Sequence, residues 1–322
     1  MALSAFPRFL AFAATVLLSS ALAAPLLADP VAVLAAVKGK VQVVPARTKG
    51  VVRATFGRGL ERGDKVTVAA GGSATVFFSD GNVVELSEKS SVTIGGRAEK
   101  APATAGLPGE VYTQVSRFVT AGSRRTGLIA TTEMRGPENG AALIVAPRHT
   151  TVLQDRPTLR WRGVTGATRY RARLADAEGR ELWMKETAEM ELAFPADVAA
   201  LAPGAAYELS VDAISDAKLL RSETVGFRIA SAELARSVEE NLNRIHESAG
   251  GAGTAAATYL AGSYVAGLGL YQDAARHFFA LCQLDPKSPD PHEALGNVYS
   301  RVGLMDLAAA EFERALALAR EP

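Results

Sequence analysis

Cysteine, histidine and excess charge are all scarce in this sequence. A single cysteine, Cys282, stands among 322 residues, so a disulfide framework within the chain is excluded. The 35 Lys and Arg residues are balanced by 34 Asp and Glu residues, which leaves none of the strong positive charge typical of nucleic-acid binders. The four histidines lie far apart without metal-ligand spacing. We therefore expect no enzyme, no nucleic-acid partner, and no bound metal or cofactor.

The N-terminal stretch contains a long apolar segment without charge. Arg8 precedes the apolar run Phe9 to Leu18, and "SSALAAP" then supplies the small residues of a cleavage site. This pattern predicts a secretory signal peptide over residues 1–24, cleaved near Ala23. The alternative is an uncleaved membrane anchor, because Phe9 to Ala28 provides about the 20 uncharged residues that cross a bilayer.

Short strands separated by glycine turns dominate residues 33–135. The stretches "KVTV", "SATVFF" and "VVELS" alternate in the period of strands, which predicts an all-β unit. Residues 111–136 are expected to add further strands or short helical structure. Gly63-Asp64 and Asp80-Gly81 fall between strand runs, where tight turns need residues that tolerate positive φ. Turn chemistry accounts for both aspartates, so we expect them to shape turns rather than to form an active site.

Residues 140–230 are predicted to form a β-sandwich. Five strand-like runs separated by turns follow one another here: "PTLRWRGV", "TRYRARLAD", "ELWMKET", "AYELSVDAI" and "TVGFRIA". In the second run Tyr170, Ala172 and Leu174 alternate with a row of arginines. That row consists of Arg169, Arg171 and Arg173.

The arginine row has two interpretations. The guanidinium groups are candidates to bind phosphates or carboxylates of a polymer such as lipopolysaccharide or peptidoglycan. The favoured alternative is charge pairing across strands, because "YELSVDA" is expected to be the neighbouring strand and places Glu208, Ser210 and Asp212 outward.

From Ala232 onward the apolar period becomes helical, and residues 232–322 are predicted to form a helix followed by two helix pairs. A shift of 34 residues superposes Gly262 on Gly296 and Phe278 on Phe312. Such a repeat stacks similar helix pairs side by side. The first helix is expected to cover one end of this short stack.

Each of the three sections also resembles a known family. An ordered series of turn motifs in the first section resembles the FecR domain, an extracytoplasmic β-module. The motifs are Gly39-Lys40-Val41, Leu60 with Gly63-Asp64, Gly71-Gly72-Ser73-Ala74 and Asp80-Gly81-Asn82. In the second section Leu201, Pro203, Gly204 and Tyr207 match the "L-x-P-G-x-x-Y" stretch of fibronectin type III domains. That resemblance implies a Tyr207 hydroxyl that closes a corner, and a core position for Trp161.

The 34-residue repeat resembles the tetratricopeptide repeat, with Leu295-Gly296, Tyr299, Ala308 and Phe312 matching its pattern. The resemblance implies that the inner faces of the first helices of each pair line a groove for a partner's extended peptide. Carried over by position, the partner-binding residues are Tyr259, Ser263, Glu293, Asn297 and Arg301. The alternative is an ordinary solvated helix face.

Together these patterns predict a multidomain, mainly β protein with an α-helical C-terminal repeat region. The function expected from them is that of a non-catalytic adaptor or sensor, exported to a bacterial periplasm. It would bind a protein partner in the cell envelope, for example a membrane signalling protein. The alternative function is that of an accessory protein binding cell-wall peptidoglycan or a surface polysaccharide.

Overall fold

The computed structural model describes residues 30–48, 50–95, 103–104, 106–129, 143–216 and 218–320. The predicted signal peptide lies outside these residues. Within them, two β-rich sections precede a helical C-terminal region, which confirms the predicted mainly β, multidomain architecture with a helical end. No helix in these ranges is long and apolar enough to cross a membrane.

Two antiparallel sheets build the first section, which we call the β-unit. Its strands are β1 (Ala32–Lys38), β2 (Val41–Val44), β3 (Val52–Arg53), β4 (Gly59–Leu60), β5 (Lys65–Val68), β6 (Ser73–Phe78), β7 (Val83–Leu86), β8 (Ser91–Thr93) and β9 (Ala103–Thr104). One sheet has the order β4-β1-β6-β7-β9, and the other has the order β3-β2-β5-β8.

The five-stranded sheet of the β-unit is buried on both faces. Leu34 and Val76 point into a core shared with the four-stranded sheet. Val33 and Phe77, which alternate with them, point into a different core that contains residues of the helices. Burial on both faces explains why β1 is an almost continuous apolar run.

The predicted turn roles of Asp64 and Asp80 are confirmed. Asp80 lies in the hairpin between β6 and β7, where its carboxylate accepts a hydrogen bond of 3.0 Å from the Asn82 backbone N–H. The next residue, Gly81, has a φ of +88°, and a Cβ there would lie 2.0 Å from the Leu107 carbonyl oxygen. Asp64 is buried, and its two oxygens accept backbone N–H bonds from neighbouring loops.

The sequence predicts an all-β section over residues 33–135 with strand or short helical structure at its end, and the structure has a long helix there. Gly109–Ile129 forms a helix, α1. Its valine and threonine content suits a strand, but Val111, Val115, Phe118 and Val119 recur at helical spacing and are all buried. The apolar face of α1 packs against the helical region, so tertiary packing decides between the two structures.

The second section is a sandwich of two sheets. Its strands are β10 (Ile144–Ala146), β11 (Thr151–Val152), β12 (Leu159–Trp161), β13 (Arg169–Asp176), β14 (Glu181–Thr187), β15 (Glu191–Leu192), β16 (Ala206–Ser215) and β17 (Lys218–Ile229). The sheet orders are β10-β12-β15 and β11-β17-β16-β13-β14. Trp161 is buried in the core between them, and the Tyr207 hydroxyl accepts a 2.8 Å bond from the Ala202 N–H. Both side chains lie where the sequence predicts them.

Five helices complete the fold. They are α2 (Ala232–Ser248), α3 (Ala255–Gly267), α4 (Tyr271–Leu284), α5 (Asp290–Arg301) and α6 (Met305–Arg320). In the pair α3–α4, a Cβ on Gly262 would lie 2.9 Å from the Phe278 ring, and in α5–α6 a Cβ on Gly296 would lie 2.7 Å from the Phe312 ring. The same glycine-to-phenylalanine contact in both pairs confirms the 34-residue period.

Candidate functional site

The inner face of the helix pairs is covered by other parts of the same chain. Of the five predicted partner-binding residues, Tyr259, Ser263 and Asn297 are buried, whereas Glu293 and Arg301 are half-buried. The expectation of an open groove is therefore corrected. The physical reason is that the β-unit and α1 pack against α3 and supply the apolar surface that this helix needs on all sides.

A short irregular segment of the β-unit, residues 54–58, lies on this inner face. The backbone N–H of Phe56 donates a hydrogen bond to the carboxylate of Asp290, at the start of α5. The Phe56 ring packs on Tyr259 with 5.6 Å between ring centroids. The contact thus combines a carboxyl oxygen that accepts a backbone N–H with an aromatic ring that packs on another. We call this segment the internal strap.

Gly57 allows the strap to approach this closely. Its φ is +68°, and a Cβ on it would lie 2.1 Å from the Tyr259 hydroxyl oxygen. A side chain at this position would therefore meet both backbone strain and a steric clash. The strap and the inner face fit each other only because glycine stands between them.

Helix α1 covers the neighbouring part of the inner face. A Cβ on Gly267 of α3 would lie 2.2 Å from the Gln114 carbonyl oxygen, so the two backbones are in close contact. Phe118 stacks on Phe278 with 5.4 Å between centroids and 19° between ring planes. Phe56, Tyr259, Phe278 and Phe118 form a continuous row of aromatic contacts between the β-unit and the repeats.

The buried electrostatics of this contact centre on Asp290. Burial raises the pKa of its carboxyl group to about 7, while the Phe56 N–H bond favours the charged form and the nearby Glu293 charge disfavours it. Burial likewise raises the pKa of the Tyr259 hydroxyl. Asp290 therefore changes its charge near neutral pH while it is held against the strap.

Several polar side-chain atoms of α1 and the repeats are buried without a hydrogen bond. Within the described residues these include Asn297 Oδ1 on α5, and Gln114 Oε1 and Ser116 Oγ on α1. Each such atom costs about 1–3 kcal/mol relative to a satisfied one. Both α1 and the repeats thus leave buried hydrogen-bonding capacity unused.

The sandwich meets the repeats at a different place, the turns between paired helices. Thr150 Oγ1 donates to the Gly269 carbonyl and accepts from the Tyr271 N–H, both at 2.9 Å. Arg162 forms an ion pair with Asp306, and this pair lowers the pKa of the Asp306 carboxyl. The sandwich is therefore attached through several polar contacts, and Leu153 adds an apolar one at the edge of the shared core.

The arginine row of the sandwich is engaged in ion pairs, as the favoured interpretation predicts. Arg173 lies 3.4 Å from Asp212, one of the predicted acidic neighbours. Arg171 and Arg169 instead contact Glu186 on β14, at 2.7 and 3.4 Å. The sequence reasoning missed Glu186 because it considered only one of the two strands that flank β13.

Cys282, His292 and Glu311 form a cluster that the sequence did not predict. His292 Nδ1 lies 2.7 Å from a Glu311 oxygen, and the Cys282 sulfur lies 3.9 Å from the same nitrogen. In a catalytic arrangement of thiol, base and orienting acid, the thiol contacts one imidazole nitrogen and the acid contacts the other. Here both groups lie at Nδ1 of His292. Burial and the Glu311 charge also raise the pKa of the thiol to about 11, so the cluster does not activate a nucleophile. The described residues contain no group of three His, Cys, Asp or Glu placed to hold a metal.

The sequence reasoning also missed Asp290 and Phe56, the two residues that join the strap to the repeats. They lie 234 positions apart. In the sequence, Asp290 is an ordinary acidic residue in the first turn of a helix, and Phe56 is a single apolar residue among turns. The sequence of α3 did contain an indication of this contact. The helix is apolar around its whole circumference, which predicts that other parts of the protein pack against it on every side.

Comparisons with known proteins do not identify a family for this chain. No protein-family model matches the chain, and no curated protein matches it. Among solved structures, the fn3 domain of human collagen alpha-1(XX) chain is 23% identical, with a TM-score of 0.22, covering 30% of this chain and 95% of that one. A multi-domain immunophilin from Arabidopsis thaliana is 11% identical, with a TM-score of 0.21, covering 54% of this chain and 92% of that one.

A third solved structure, beta-1,2-glucanase from Parabacteroides distasonis, is 10% identical with a TM-score of 0.21. The match covers 89% of this chain and 58% of the glucanase. All three TM-scores are below 0.5, so none of these likenesses bears on what the protein does.

Proposed function

We propose that this protein is a non-catalytic adaptor, exported to the periplasm, in which the helical repeats hold the β-unit and bind a protein partner. One observation carries this proposal: the inner face of the repeats binds an irregular chain segment, the internal strap. It does so through a carboxylate that accepts a backbone N–H and an aromatic ring that receives a side chain. Such contacts are the chemistry of peptide recognition.

The partner would bind at the part of the inner face that the strap and α1 leave accessible. Glu293 and Arg301 are half-buried there and lie on α5. Tyr259, Ser263 and Asn297 are buried, so in this proposal they contribute to packing within the chain and do not contact the partner. A ligand that binds near Glu293 would sense the position of the strap, which would couple the β-unit to partner binding.

The resemblances to the FecR domain, the fibronectin type III domain and the tetratricopeptide repeat support a location in a bacterial envelope. They also support a membrane signalling protein as the partner. Binding of peptidoglycan or a surface polysaccharide through the arginine row is less well supported, because Arg169, Arg171 and Arg173 already have carboxylate partners within the sandwich.

Site-specific photo-crosslinking in the native envelope tests this proposal. A photoreactive residue replaces Arg301, and in a matched control it replaces the exposed Arg314 on the neighbouring helix α6. We expect a crosslink to one envelope protein from position 301 and none from position 314, in a chain that fractionates with the periplasm. Equal crosslinking from both positions, or none from either, would contradict the proposed site.

A further inference from the structure

Strand β14 is an open edge of the sandwich. It is the outermost strand of the five-stranded sheet, and β13 is its only neighbouring strand in the described chain. A free strand edge presents unpaired backbone N–H and C=O groups that can pair with another strand. Proteins usually protect such edges with charges or bulges, so the side chains of β14 decide whether it is protected or built to pair.

The outward side chains of β14 include two large apolar groups. Leu182 is 44% exposed and Met184 is 49% exposed. On the same strand Glu181 and Lys185 are exposed and have no ion-pair partner within the part of the chain that the structure describes. The nearby arginine row is already paired, whereas these two opposite charges are not.

The order of these residues is complementary to itself. When two copies of β14 run antiparallel about a two-fold axis at Trp183, Glu181 of each copy faces Lys185 of the other. Leu182 of each copy then faces Met184 of the other. Opposite charges and apolar pairs directly across an antiparallel pair each stabilise it. The symmetry makes every one of these favourable pairs occur twice.

Neighbouring registers lack this complementarity. A shift of one residue in one direction places Glu181 opposite Glu186, and a shift in the other direction places Arg180 opposite Lys185. Like charges directly across a strand pair are destabilising. A shift of two residues brings no like charges together, but it loses both the Glu181–Lys185 and the Leu182–Met184 pairs. The order of residues on β14 therefore favours one register.

We propose that β14 pairs with β14 of a second copy of this chain, antiparallel about a two-fold axis at Trp183. The two five-stranded sheets would then become one continuous sheet. The register with β13 shifts at Leu182, one residue from the proposed axis, and β14 itself begins at Glu181. This contact lies on the sandwich and does not depend on the function proposed for the repeats.

A charge-swap experiment on the full exported chain tests the proposal. A single strand pair buries less surface than a standard interface, so the dimer is expected to be weak and to form with rising concentration. Sedimentation equilibrium should show a monomer–dimer equilibrium for the parent chain. Glu181→Lys alone, or Lys185→Glu alone, should weaken the dimer by at least about tenfold, because each places like charges opposite each other.

Mixing the two variants should restore dimerisation, because two lysines then face two glutamates across the axis. Lys218→Glu, an exposed charge reversal at the far end of the same sheet, is the matched control and should leave the parent equilibrium unchanged. A monomeric parent chain, single variants that dimerise like the parent, or a mixture that stays monomeric would each overturn the proposal. A monomer whose β14 accepts only an extended peptide of another protein would overturn it as well.

Discussion

The two β-sections are attached to the helices in opposite ways. The β-unit shares one apolar core with them, into which β1, β6, α1 and α3 all contribute side chains. The sandwich has a core of its own and touches the helices through hydrogen bonds, an ion pair and the side chain of Leu153, which packs on the edge of the shared core. The difference indicates that the β-unit and the helices form one cooperative body, whereas the sandwich is a separate domain held against it.

This difference also indicates which parts of the molecule can transmit a conformational change to each other. An apolar core shared by two elements couples their stabilities, because neither can open without exposing the other. A polar contact between closed domains is weaker and resembles a transient interface. The strap on the inner face of the repeats thus lies inside the coupled body, where a change in the β-unit reaches the repeats directly.

The largest expected effect is that of Phe278→Ala. Phe278 is fully buried between Gly262, Phe118 and Tyr259, so its loss should lower the free energy of unfolding by about 3–5 kcal/mol through the cavity left behind. The neighbouring Phe279 is 59% exposed and is a matched control, because Phe279→Ala should change stability by less than about 1 kcal/mol. Denaturant titration measures both, and equal effects would contradict the shared core.

Gly57→Ala should disturb the strap more than an equivalent change elsewhere. At Gly57 the new methyl group meets the Tyr259 hydroxyl, so we expect a loss of about 3 kcal/mol from strain and clash together. Gly71 has a similar φ of +72° but no atom within 4 Å of a Cβ, so Gly71→Ala should cost only the backbone strain of about 1 kcal/mol. The melting temperatures of the two variants separate the effect of the clash from that of the backbone strain. Equal decreases in melting temperature would show that the strap does not contact Tyr259.

The pH dependence of stability should report Asp290. Its pKa is raised from 3.8 to about 7 in the folded chain, so the native state keeps a proton that the unfolded state releases. Stability should therefore fall by a few kcal/mol as pH rises from about 4 to about 7, and level off above pH 7. Asp290→Asn should remove that fall. Unfolding measured across the same pH range checks this, and an unchanged profile in the variant would exclude Asp290 as its origin.

Arg162→Ala should have the smallest effect. The ion pair of Arg162 with Asp306 is partly exposed, and pairs of this kind contribute roughly 0–1 kcal/mol. We expect the sandwich to loosen from the repeats while the unfolding midpoints of both bodies stay nearly unchanged. Limited proteolysis between the sandwich and α2 would detect the loosening. A large loss of stability would show that the sandwich belongs to the same cooperative body.

Local features of this fold were predictable from the sequence. The Asp80-Gly81 hairpin, the Tyr207 corner and the glycine-to-phenylalanine contacts of the repeats depend on residues close together in sequence or on a fixed period. Turn chemistry and periodicity describe such features directly. For the arginine row the contact of Arg173 with Asp212 was predictable, because that neighbouring strand was recognisable, whereas the contacts of Arg169 and Arg171 with Glu186 were not.

The candidate site was not predictable in the same way. Whether Tyr259 lines an open groove depends on what the β-unit and α1 do, and the contact between Phe56 and Asp290 joins distant parts of the chain. Helix α1 combines β-branched residues with helical spacing, so local propensity and periodicity disagree there. Long-range packing, which no local pattern records, resolves both questions.

Hydrogen exchange in the Phe278→Ala variant tests the coupled body most directly. Phe278 lies on α4, yet its removal should speed exchange of amides in β1 and α3 together, because these elements share its core. Amides in β13 and β16 of the sandwich should exchange at the rates of the parent chain. Faster exchange confined to the helices, with β1 unchanged, would contradict the account, and so would faster exchange that extends through the sandwich.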